Sequence, residues 1–175
     1  MTATFGDVTR DYYTVDGATL QEVYDVLSTR DEAGSAVWVP NLATAFDDGG
    51  LVTSATVTVG LTITMPQWSG YSAASAAAKA EWDRWYAALE AHEQGHISLA
   101  RQHLENSDAG LVGLAEADAR TTFQATCDAL QTASNAYDDQ TKNGRNTGTI
   151  MQVDADVPAE GDTGETTEEE TEEPG

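Results

Sequence analysis

The stretch LEAHEQGHISLARQH, residues 89–103, sets two histidines four residues apart with a glutamate directly after the first: His92-Glu93-Gln94-Gly95-His96. Only one other histidine, His103, occurs in the 175 residues. On a helix, residues four apart differ by about 40° in direction and about 6 Å in rise, so the two imidazoles share one face. They can then converge on one ion at ~2.0–2.1 Å each, with the carboxylate of Glu93 placed to reach a water on that ion without being a ligand. Composition alone yields H-E-x-x-H about 0.004 times in a chain like this one. The plain alternative is two histidines on a polar helix face. The spacing favours a Zn2+ site, with His92 and His96 as ligands and Glu93 as the proton-handling base.

The elements that must position these residues are readable in outline. DYYTVDGATLQEVYDVLSTRDEAG begins as a β-prone run, turns at Asp16-Gly17, and sets Leu20, Val23, Tyr24 and Leu27 at helical spacing after Thr19, a suitable N-cap. AVWVPNLATAF reads as a strand interrupted by Pro40, which suits an edge or a bulge. DDGG at 47–50 is the turn out of it. In the next strand Ala55, Val57, Val59, Leu61, Ile63 and Met65 alternate with threonines and Gly60 until Pro66 stops it. That pattern suits an antiparallel strand with one face on a core. From about Ser72 an Ala/Glu/Lys/Leu-rich helix runs to about Asn106, with Trp82, Trp85, Tyr86, Leu89 and Leu99 supplying much of its buried stripe. NSDAG ends it, and residues 111–144 read as a return helix with Gly144 as a C-cap.

The net charge of −22 is unevenly spread. From Asp154 to Gly175 there are 10 acids and no Lys or Arg, while residues 1–153 hold the other 20 acids with all 8 bases, a net of −12. An acidic body offers little to phosphates or anionic lipid, so nucleic-acid and membrane partners are not expected. One domain, 1–153, is expected, followed by an acidic tail, 154–175, that has almost nothing to bury and should be disordered. Cys127 is the only cysteine, which excludes an intrachain disulfide and a multi-cysteine zinc site. No signal peptide is recognisable at the N-terminus and no apolar run is long enough to span a membrane, which for the chain as given reads as cytoplasmic.

Several stations of the chain, in order, resemble the DUF922 family of bacterial proteins, often described as secreted zinc-dependent proteases of the zincin class. They are YYTVDGATLQEV, Trp38, the strand ending TMPQW, WDRWYAALEAHEQGH, and YDDQTKNG at 137–144, and the resemblance covers roughly residues 11–150. It implies an α+β, zincin-like fold in which a small antiparallel sheet packs against a long HExxH helix and a return helix. It also implies secreted or periplasmic relatives. Two positions depart from the family pattern: Cys127 has no partner where members often carry a cysteine pair, and Asn143 stands where members commonly carry a histidine.

The expected function is a zinc-dependent peptide hydrolase acting on a polypeptide, with a water on the metal activated by Glu93. Tyr137 is a candidate donor to the developing oxyanion, with packing of its hydroxyl against the helix pair as the plainer role. The threonine-faced strand 55–65 is a candidate platform for an extended substrate. A catalytically impaired zincin scaffold that keeps a metal and binds a partner is the alternative. Three residues compete for the third ligand. His103 lies about 10.5 Å beyond His96 along a straight helix. Glu116 comes opposite Arg101 if the turn centres near Asp108. Asp138 comes opposite His92 if the connection is longer and centres near Ala115. The resemblance favours Asp138, and spacing alone leaves the three open. The oligomeric state is not readable from the sequence.

Overall fold

A computed structural model describes residues 3–156. Its order is β1 (Thr4–Val15), α1 (Leu20–Ser28), β2 (Ser35–Phe46), β3 (Val52–Trp68), α2 (Ala76–Leu104) and α3 (Glu116–Thr141), with short 3-10 turns at Tyr71–Ala73, Arg145–Thr147 and Val153–Asp156. Asp154–Asp156 thus close the described part, and the rest of the acidic tail expected to be disordered lies outside it. No helix among the described residues is long and apolar enough to cross a membrane.

The architecture is α+β, but the three-stranded sheet is mixed rather than antiparallel. Its order is β1-β3-β2, with β3 antiparallel to its hairpin partner β2 and parallel to β1. The cause is the connection through α1, which carries the chain from one outer strand to the other and leaves the middle position to be filled later. β3, the longest strand, fills it. Its apolar series Val57, Val59, Leu61, Ile63 and Met65 is buried along one face. The strand continues past Pro66 to Trp68, because pairing with β2 ends at Thr64 and a proline is tolerated where one edge is free. Pro40 lies in β2, an edge strand, as its interruption of the run suggested.

α1 begins at the expected cap, with the Thr19 hydroxyl accepting from the Glu22 amide. α2 starts four residues later than its composition suggested, after Ser75 accepts from the Ala78 amide. Its face of Trp82, Trp85, Leu89, Ile97, Ala100 and Leu104 packs on the sheet, while Tyr86 and Leu99 are only partly buried. Trp68, at the end of β3, joins Trp82 at 5.5 Å between ring centroids and donates its indole N–H to the Gly17 carbonyl at 2.7 Å.

The return helix starts at Glu116, not near residue 111. Residues 105–115 form turns that dock on the start of β3, where the Val52 amide donates to the Leu114 carbonyl and the Gly113 amide donates to the Val52 carbonyl, each at 2.8 Å. Leu111 is buried there with Val52, Ala55 and Ala119. Gly113 takes φ +86°, which helix continuation forbids. α3 stops at Thr141 because Lys142 and Asn143 already adopt left-handed conformations before Gly144. These 11 residues of turn set the register between α2 and α3 on which the site depends.

Candidate metal centre

His92 and His96 project from one face of α2 into the space between α2 and α3, and both are buried, at 5% and 7% exposure. Their Nε2 atoms stand 3.3 Å apart. Asp138, in the last turn of α3, places Oδ1 3.2 Å from His92 Nε2 and 3.0 Å from His96 Nε2. One turn earlier on α3, the Ser134 hydroxyl lies 2.8 Å from His96 Nδ1. His92 faces Asp138 and His96 faces Ser134, so the helix pair is centred on Ala115, the longer of the two connections considered from sequence.

The three atoms form a triangle that suits a metal. Ligands at ~2.0–2.1 Å in a tetrahedral set stand about 3.3–3.4 Å from one another, close to the separations here. Two imidazole nitrogens and a carboxylate oxygen also make poor partners for one another without a cation, since a shared proton can satisfy only part of the triangle. In the tautomer whose Nδ1–H donates to Ser134, His96 Nε2 carries a free lone pair. Burial and the neighbouring His96 push the His92 imidazole below its ordinary range, against the opposing pull of Asp138, which favours the neutral form that binds metal. His92 Nδ1 is buried with no hydrogen-bond partner among the described residues.

Tyr137 packs against both histidines. Its ring stacks on His92 at 5.0 Å with an interplanar angle of 15° and meets His96 edge-on at 5.0 Å. Its hydroxyl lies against Gly95, where a Cβ would overlap the phenol. The glycine inside H-E-x-x-H is therefore what lets Tyr137 sit over the histidine pair. Glu116 is in the first turn of α3, about 33 Å of helix from Asp138, where it pairs with Arg120 at 2.9 Å. His103 stays near the end of α2 and does not join the group. The structure brings together His92, His96 and Asp138, and among the described residues they are the group of possible metal ligands whose donor atoms lie close together.

A family model described as a bacterial protein of unknown function, DUF922, matches residues 10–145. The chain belongs to the DUF922 family. No curated protein and no solved structure matches it. The matched part of this DUF922 chain holds all three histidine and aspartate groups of the triangle, together with Ser134 and Glu93. Asn143, at the position where the resemblance led us to expect a histidine, lines the same cleft but is not part of the triangle.

The cleft, about 730 Å³, runs along α2 between a wall formed by α1 and residues 30–34 and a wall formed by α3 and the segment after it. Glu93 opens into it while only 4% exposed. No hydrogen bond reaches its carboxyl among the described residues. Burial, with the charges of Glu32 and Asp138 adding to it, pushes that carboxyl up to about 8. Gly34 makes the approach possible, since a Cβ there would fall 2.9 Å from Glu93 Oε1.

Ser134, Gly34 and Glu32 were not singled out from the sequence. Ser134 precedes Asp138 by four residues and so shares its face of α3, a spacing visible in hindsight but common in any helix. If its hydroxyl orients His96, Ser134→Ala should weaken zinc binding about 10- to 100-fold, as loss of such a partner generally does. Ser134→Thr should retain most of the affinity. Competition against a chromophoric chelator measures both, and wild-type affinity in Ser134→Ala would show that the hydroxyl only packs.

Proposed function

We propose that the protein is a zinc-dependent peptide hydrolase. The observation that carries this reading is the triangle of His92 Nε2, His96 Nε2 and Asp138 Oδ1 in one cleft with the buried, unpartnered carboxyl of Glu93. Zinc held by those three atoms would polarise a carbonyl oxygen and make a water acidic near neutrality. Glu93 lies next to a ligand in sequence but outside the triangle; a dication held there would favour its ionised form against the burial that keeps it protonated near neutrality, and that carboxylate could then take the nucleophile's proton and later deliver it to the leaving amine. His96 is held in orientation by Ser134, and His92 by the Tyr137 ring.

The place for an extended polypeptide differs from the one expected. Over most of 55–65 β3 has no edge for a substrate, because β2 pairs with it up to Thr64 and β1 from Thr58 onward. β2 has a free outer edge among the described residues, and its Ala36, Val37 and Trp38 line the cleft. In this reading the substrate backbone adds to that edge.

The test begins with metal content. Untagged full-length protein, dialysed exhaustively and assayed by elemental analysis, should carry one zinc per chain. Less than about a tenth of an equivalent, with no recovery when zinc is added at neutral pH, would leave a metal-free helix pair. Turnover of a denatured protein substrate by the zinc-loaded chain then separates a hydrolase from a scaffold that only binds.

A further inference from the structure

The cleft combines an apolar floor with polar walls. Toward the N-terminal end of α2 its floor is apolar: Trp85 and Leu89 from α2, Leu27 from α1 and Met151 from the segment after α3 are all buried and belong to one core cluster. The polar lining of the cleft comes from Gln131, Asn135 and Asp138 of α3 and from Glu32 on the opposite wall, with Asn143 and Arg145 past α3 flanking the apolar floor. Two large apolar side chains stand at the rim of the apolar end with much of their surface in water, Tyr24 at 44% and Ile150 at 59% exposure. Packing does not account for either, since both could be polar without disturbing the core. Exposed apolar groups that adjoin an apolar floor mark a surface that is covered when a ligand arrives.

The apolar wall is built deliberately. Residues 148–152 are strapped along α2 by three side chains about two to three turns ahead of His92. Arg84 donates to the carbonyls of Gly148 at 2.8 Å and Ile150 at 2.7 Å. The Trp85 indole donates to the Thr149 carbonyl at 3.0 Å, and Glu81 accepts from the Gln152 amide at 2.7 Å. Glu81 is itself buried and forked by Arg84. Both buried groups are satisfied, Glu81 by Arg84 and the Gln152 amide and the Trp85 indole by the Thr149 carbonyl, so they hold the segment in place without an unpaired polar group. The result is that Met151 closes the floor and Ile150 overhangs it. Met151 and Ile150 lie past residue 145, where the family match ends, whereas Tyr24, Leu27, Trp85 and Leu89 lie within it.

We infer that this end of the cleft is a specificity subsite for a large apolar side chain of the substrate, so that the protein acts on polypeptides with a residue such as Leu, Phe or Met on one side of the scissile bond, the other side being met by polar groups. The inference deepens the hydrolase reading and rests on it for the position of the scissile bond. The apolar selectivity itself rests only on the shape and chemistry of the cleft. Seating one such side chain against Leu27, Trp85, Leu89 and Met151 should favour it over a small polar one by about 10- to 100-fold.

Two measurements on the zinc-loaded, full-length protein test it. In the first, a denatured protein mixture is digested and the new termini are read by mass spectrometry. Large apolar residues should be enriched at one fixed position beside the cut, and Tyr24→Ser and Ile150→Ser, at exposed positions that leave the core intact, should each reduce that enrichment several-fold. Cleavage with no such enrichment overturns the subsite and leaves the hydrolase reading standing. In the second, calorimetry compares the binding of capped alanine hexapeptides carrying one leucine or one serine, moved through every position. The leucine peptide should bind at least 10-fold more tightly at its best position, less so in the two rim variants. If nothing is cleaved but this preference is found, the subsite stands and the hydrolase reading falls. Equal binding of the two peptide series overturns the subsite whether or not cleavage occurs.

Discussion

Glu93→Gln is expected to keep zinc at the wild-type stoichiometry and to lose hydrolysis by at least ~100-fold, the lower range for removal of a general base. The amide fills the same space beneath Gly34 and leaves the His92, His96 and Asp138 triangle intact, but it cannot accept a proton. Elemental analysis and turnover of a denatured protein, run on the same preparation, check both halves. Loss of the metal along with activity would make Glu93 a ligand or a structural group, and normal cleavage would end its role as a base.

The same substitution should stabilise the metal-free protein, with a pH dependence that follows from where the carboxyl sits. In the folded chain its pKa is raised from an ordinary 4.5 to about 8 by burial, then by Glu32 and Asp138. Below about pH 4.5 the group is protonated both folded and unfolded, and the stability that the neutral form allows is fully present. Between about 4.5 and 8 the unfolded chain ionises while the buried carboxyl of the folded chain stays protonated, so that stability falls as the pH rises and is lost once the pH has passed through 8. Glutamine escapes this cost. Metal-free Glu93→Gln should therefore match wild type near pH 4 and exceed it by about 2–5 kcal/mol above pH 8, a gain of roughly 5–15 °C in melting temperature. Equal melting temperatures at both pH values would mean that the carboxyl is better solvated than its position in the cleft implies. A group that destabilises the resting fold yet sits in a cleft beside three candidate metal ligands fits the pattern of a residue kept for chemistry.

What could be read from sequence was local. The helical spacing of His92 and His96, the alternation along 55–65, the Thr19 cap and the composition of α2 each draw on neighbours within a few residues, and each element formed close to where those signals placed it. The pairing of β1 with β3 depends on contacts some 50 residues apart, and nothing in either strand encodes a parallel partner. The start of α3 failed for a related reason. LVGLAEADAR has helix-like composition, but Leu111 and Val112 lie in turns because Leu114 and Gly113 pair with Val52, an interaction with no trace in the local pattern. That error mattered, since the register between α2 and α3 decides which acid meets the histidines. Ser134 was hidden differently: a serine in mid-helix usually faces water, and only the position of α2 shows that this one meets His96.

Asp138 is the residue on which that register can be tested, and Asp138→Ala should weaken zinc binding by more than ~100-fold, beyond the 10- to 100-fold typical of a group that only supports a ligand. The substitution removes the single negative charge in the triangle and leaves two neutral imidazoles, whose Nε2 atoms alone define a line rather than a face for the ion. Asp138→Asn, which keeps the shape and loses the charge, should fall between wild type and Asp138→Ala. In the metal-free protein both variants should push the His92 imidazole further down, because Asp138 is the neighbour that raises it; proton NMR of the histidine ring signals would follow this without any metal. Glu116→Ala and His103→Ala are the controls. Glu116 is largely exposed and paired with Arg120 at the far end of α3, and His103 lies about two turns past His96, so neither change should alter affinity measurably. Unchanged zinc affinity in Asp138→Ala, with a large loss in either control, would require α3 to pack on α2 in the shorter register and would take the metal triangle with it.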